Sequence, residues 1–167
     1  MPRIQDTETE SSDVGADKVR WAGFRAFVQL YEGDFLLYAH ARLRDPLASR
    51  VAVDQALRRT EQGWRAIVRQ RCPNASVWLV LRAAVDRARS SAGVSVDLPA
   101  SGLPDVVADA ALLHHQLGMS MSRVAELMGT EVSEIQASLL VIQRLAEAPT
   151  VTTAGEGASQ SGLSLGT

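Results

Sequence analysis

One cysteine, Cys72, stands in the 167 residues, so no internal disulfide can form and a disulfide-stapled scaffold is excluded. No run approaches the roughly 20 apolar residues of a membrane span. The N-terminus lacks the basic-then-apolar pattern of a secretory leader, and a cytoplasmic location is the expectation. There is no Gly-rich loop to cradle a phosphate and no Cys/His spacing suited to zinc. His114 and His115 are adjacent, so on a helix their side chains diverge by about 100° and do not share a metal. They read as structural or surface residues. Asp105 and Asp109, four apart, read as a solvated helix face rather than a general acid/base pair. No enzyme activity, no metal and no cofactor is expected. No strand-length run alternates with a two-residue period, and no internal repeat is visible.

What the chain does have is helical spacing nearly throughout. Trp21, Phe24, Phe27, Val28 and Tyr31 recur at three- and four-residue steps, as do Phe35, Leu36, Ala39 and Leu43. Gly33 and Asp34 are candidate punctuation between them. Asp45-Pro46 predicts a turn and helix start, and Val51, Val53, Leu57, Trp64 and Val68 continue to about Gln70. After Cys72-Pro73-Asn74, a further helix carries Val77, Trp78, Leu81, Ala84 and Val85. Trp21, Trp64 and Trp78 read as core residues, with Trp78 beside Arg82 also placed for a cation–π or strand contact. The fold class is all-α.

Charge divides the chain. The formal net charge is −2, yet residues 17–91 hold Lys18 and a run of arginines that outnumber the acids, while Asp97 to Glu147 holds seven acids against Arg123 and Arg144. Such asymmetry points to a nucleic-acid or acidic-protein partner for the basic half. The polar, acidic segment 1–16 (with QDTETESSD) and the Gly/Ser/Thr-rich segment 148–167 (with TTAGEGASQSG) have too little apolar content to offset ordering entropy, so disordered ends are expected. The string SSAGVSVDLPASGLP breaks helical patterning. Two small helical domains follow, 17–91 and 104–147, joined by a linker at 92–103.

The second domain contains GMSMSRVAELMGTEVSEIQASLLVIQRL, which has the form of a helix-turn-helix. Ser120 is placed to cap a short helix carrying Val124, Leu127 and Met128, and Gly129 to end it in a left-handed conformation. A second helix starts near Thr130 to Ser133 and buries Ile135, Leu139 and Ile142. In DNA-binding versions that helix enters the major groove. Here it offers Glu131, Glu134, Gln136, Ser138 and Gln143, with Arg144 its one cation. Phosphate binding rests on Lys and Arg, and the surplus of acid opposes it.

The stretch FRAFVQLYEGDFLLYAHARLRDPLASRVAVDQAL, followed by SVWLVLRAAVDRARSS, resembles the promoter-melting domain of bacterial sigma factors, the two-domain extracytoplasmic-function group in particular. LPDVVADAALLHHQLGMSMSRVAELMG resembles the domain of that group which reads the upstream promoter element. The resemblance covers roughly residues 20 to 147 in the expected order. It implies core RNA polymerase and promoter DNA as partners. Arg50, Asp54 and Arg58 are its implied polymerase contacts; Arg82, Arg87, Arg89, Gln136, Ser138 and Arg144 its implied DNA contacts. The chain departs from the family pattern at Arg50, where an acid is typical, and at Ala56, where an aromatic is. It departs again at Ser133 to Ser138, where a Gly-Thr-Val-Lys-Ser-Arg type of run is usual. A second reading is therefore a sigma-like interaction protein that binds a regulator, such as an anti-sigma factor, without reading promoters.

Overall fold

The computed structural model describes residues 7–91 and 104–147, and its described residues form six α-helices and no strand, as the periodicity predicts. They are α1 (Thr7–Leu43), α2 (Pro46–Ile67), α3 (Pro73–Ser91), α4 (Asp105–Ala111), α5 (Met121–Met128) and α6 (Val132–Glu147). A π-helical turn, Leu112–Gln116, extends α4. The expected linker at 92–103 and tail at 148–167 lie outside the described residues. So do residues 1–6, whereas α1 begins at Thr7, inside the segment expected to be disordered. Among the described residues no helix is long and apolar enough to cross a membrane.

Gly33 and Asp34 do not punctuate; α1 runs through them. A mid-helix glycine costs about 1 kcal/mol relative to alanine. Burying a single large apolar side chain contributes roughly 1.5–3 kcal/mol, and Tyr31, Phe35 and Tyr38 are all buried around that point. Arg44, with φ of 54°, turns the chain out of α1. Asp45 then caps α2, its carboxylate accepting from the amides of Leu47 (2.8 Å) and Ala48 (3.0 Å), and Pro46 occupies a first-turn position that needs no donor.

Helices α1, α2 and α3 pack through Phe35 and Tyr38, through Val53, Ala56 and Trp64, and through Val77, Leu81 and Val85. The alanines Ala52 and Ala56 keep α2 close to its neighbours. Leu113, Val124, Leu127 and Ile135 from the later helices join the same contiguous core. Ser120 caps α5 by accepting from the Arg123 amide at 3.2 Å, and Gly129 ends it with φ of 67°. The α5–α6 turn sits hard against the start of α3: a Cβ at Gly129 would collide with the Ala75 backbone. Only glycine satisfies both the dihedral and the contact there.

Candidate functional site

The feature that organises the molecule is a buried polar cluster where α4 meets α1 and α3. Asp109 on α4 is fully buried. Its Oδ1 accepts from the Tyr38 hydroxyl at 2.9 Å and stands 3.0 Å from the Arg42 guanidinium. Its Oδ2 lies 2.6 Å from Arg82 Nε, an ion pair without hydrogen-bond alignment. Arg82 also reaches Asp105 at 2.8 Å. Burial pushes the Asp109 carboxyl up to about 6 against the pull of Arg42 and Arg82, and burial together with the nearby carboxylate pushes the Tyr38 phenol up as well. Asp105 and Asp109 are therefore not a common solvated face, as their spacing suggested. Asp105 is exposed, while Asp109 falls on the stripe of Leu112 and Leu113 and is held among cations, because an unpaired buried charge costs several kcal/mol. The signal was present in the sequence: one acid within the apolar run Val106 to Leu113 calls for a cation from another helix.

A second polar contact fastens α5. Arg123 donates to Asp34 through Nε (2.8 Å), to Glu126 (3.0 Å) and to the Leu30 carbonyl (3.0 Å), and lies over the Tyr31 ring. The Tyr31 hydroxyl donates to Glu126 at 2.8 Å, and the Asn74 amide donates to the Glu126 carbonyl at 2.7 Å. Tyr31 and Arg123 together hold the Glu126 carboxyl below its usual range. Arg123 thus serves packing, as does Arg82, one of the three α3 arginines expected at DNA.

The residues singled out from sequence separate into groups. Arg82 is mostly buried in the Asp109 cluster, while Arg87 is exposed and Arg89 stands 3.6 Å from Asp86 on the same helix. The structure does not gather these three into one patch. Arg50 is loosely paired with Glu32 and Asp54, each at 3.7 Å, and Arg58 is exposed further along the same helix. On α6, Gln136 and Arg144 are exposed, and the Ser138 hydroxyl donates back to the Glu134 carbonyl at 2.8 Å. Gln136 lines a cleft of about 610 Å³ together with His115, Met121, Leu139 and Leu140. His114 is tied to the Met119 carbonyl at 2.7 Å, a structural role.

Of the three tryptophans expected in the core, Trp64 and Trp78 are buried, but Trp21 is 51% exposed. Trp78 has no free face for a strand. Trp21 instead lines a cleft of about 560 Å³ with Phe24, Glu61, Gln62, Trp64 and Arg65. Beside it, α2 turns Arg58, Arg59, Gln62 and Arg65 to solvent, and Arg69 and Arg71 follow just past its end. The steps 58, 62, 65 and 69 are helical and were legible as such; the open ring of Trp21 beside them was not. No family model, curated protein or solved structure matches this chain.

Proposed function

We propose that this chain is a divergent sigma-factor-like protein acting in bacterial transcription initiation through core RNA polymerase and promoter DNA. The observation that carries the reading is the pair α5 and α6, joined at a left-handed Gly129 and seated on a three-helix unit whose α2 bears exposed cations. The order of the motifs in the sequence, resembling that of the extracytoplasmic-function group, supports it. A cytoplasmic location goes with it. In this reading Arg50, Asp54 and Arg58 on α2 meet the polymerase. Arg87 and Arg89 offer charge to DNA, while Arg82 holds α4 in place. Gln136, Ser138 and Arg144 are the contacts left to α6. With acids at Glu131 and Glu134 beside them, they give weak duplex affinity. The test is co-purification with core polymerase: the wild type is retained, and Arg50→Glu/Arg58→Glu, altered only on the surface, is not. Equal retention of both proteins, or of neither, sinks the assignment.

A second reading is favoured by one observation. α6 exposes Val132, Leu140 and Val141 among its acids, a surface better matched to a protein than to phosphate. A sigma-like interaction protein, docking on a regulator such as an anti-sigma factor without reading promoters, fits that face. It predicts no promoter-dependent transcript.

A further inference from the structure

On an α-helix the adjacent rings of His114 and His115 would part by about 100°. They sit instead in the π-helical turn Leu112–Gln116, whose wider closure swings successive side chains apart by less. The two ring centroids are 4.9 Å apart, with 58° between their planes. Both rings line the cleft of about 610 Å³ between the π-turn, the start of α5 and α6. Met121 lines it too, and Leu139 and Leu140 make its wall apolar. Turns of this kind recur at functional sites, and neither reading above uses the pair.

The pair suits a metal ion in three respects. The Met119 carbonyl accepts from His114 Nδ1 at 2.7 Å, which leaves the Nε2 lone pair free and fixes the ring's orientation. His115 is exposed, so an ion can reach it. With a metal–nitrogen bond of roughly 2.0–2.1 Å, and about 1.1 Å from nitrogen to ring centre, each centroid would stand about 3.2 Å from a shared ion. The 4.9 Å between centroids then subtends about 100° at that ion, near the tetrahedral angle.

We infer that His114, His115 and Met121 form a site for a monovalent copper ion. Among the described residues no group of three or more His, Cys, Asp or Glu side chains is placed to hold a metal, so a third donor has to come from outside that set. The Met121 thioether is the soft donor in the cleft. Thioether with imidazole selects reduced copper, whereas calcium and magnesium need cages of oxygen. Among the described residues that line the cleft there is no carboxylate, lysine or arginine. A divalent ion would therefore bring two uncompensated charges against an apolar wall, and a monovalent ion brings one. No lining cation repels it. The fourth position is left to a neutral oxygen, from the amide of Gln136 or Gln143 or from water. A bound ion braces the π-turn against the start of α5. The site requires neither polymerase nor a promoter, so it stands or falls apart from the function proposed above.

The test is an anaerobic titration of the full chain against Cu(I) held by bicinchoninate, whose coloured complex fades as the protein withdraws the ion. Cys72 is a free, exposed thiol and would compete, so Cys72→Ser is the reference chain. That chain should withdraw one equivalent of Cu(I) and keep it against an equal concentration of Zn(II). Adding His115→Ala should abolish the withdrawal. Adding Met121→Leu, which keeps the volume and removes the sulfur, should lower the preference for Cu(I) over Zn(II). Cu(I) should also raise the thermal unfolding midpoint of the reference chain and not that of the His115→Ala variant. His115 is exposed, and unchanged circular dichroism would show that its variant folds. Equal withdrawal with and without His115 overturns the proposal, as does copper binding that vanishes with Cys72. Displacement by Zn(II) overturns the assignment to copper.

Discussion

Arg82 on α3 and Asp109 on α4 stand 2.6 Å apart, and the carboxylate has no exposure to solvent. Arg42 completes the pairing from α1, and the Tyr38 hydroxyl satisfies the oxygen that Arg42 approaches. Three helices far apart in sequence therefore meet on one charged group. A surface ion pair contributes little, about 0–1 kcal/mol, but a buried one is expensive to break because it leaves its partner charged and unsolvated.

Removing the carboxylate alone should be costly. Asp109→Leu removes the counter-ion that Arg42 and the mostly buried Arg82 share, leaving Arg82 only the exposed Asp105, and should destabilise the chain by about 3–5 kcal/mol in urea unfolding. Replacing the whole set, with Arg42→Met and Arg82→Met added, should recover most of that loss. A single variant as stable as the wild type would show the cluster to be solvated.

The pH dependence of this group has a definite sign. Burial raises the Asp109 carboxyl from 3.8 to about 6 on folding, in spite of both arginines. Between those values the folded chain binds more protons than the unfolded one, so this group's contribution to stability is full below about 4 and is lost as pH rises through about 6. Urea titrations near pH 5 and near pH 7 should show the wild type gaining at the lower pH relative to Asp109→Asn. A relative loss would mean that the two guanidiniums keep the carboxylate ionised throughout.

Gly129 and Gly118 share a φ of 67°, but their surroundings differ. Nothing lies within 4 Å of a Cβ built on Gly118, whereas one on Gly129 runs into the Ala75 backbone. Gly118→Ala should cost only the left-handed strain, about 1–2 kcal/mol. Gly129→Ala should cost more, since backbone must move as well, by about a further 1–3 kcal/mol. Equal losses by chemical denaturation would argue that the α5–α6 turn does not rest on α3.

The helical elements were legible because burial repeats every three to four residues, and so were the Ser120 and Gly129 ends of α5, where one residue's chemistry decides the local backbone. Gly33 misled because a glycine's propensity cost is small beside the aromatic stripe around it. Asp109 within the apolar run Val106 to Leu113 signalled a buried acid, but which cations meet it was not legible, nor were the roles of Arg82 and Trp21, since each depends on a partner from another helix. Arg82 reads as a DNA contact in one dimension and as an internal counter-ion in three.

If α6 lies in a groove, as the sigma-like reading requires, adding cation to it should help. Gln136→Lys/Ser138→Arg should tighten duplex binding and steepen its salt dependence, by up to about 0.9 in log–log slope per new phosphate contact. Fluorescence anisotropy at several salt concentrations reads both. An unchanged slope would count against docking of α6.

The most direct measurement is run-off transcription from genomic fragments with core polymerase reconstituted with this chain, against core alone. Defined transcripts that appear only when the chain is present are the expected result. Polymerase that binds the chain yet yields no such transcript would contradict initiation and leave the interaction-protein reading standing.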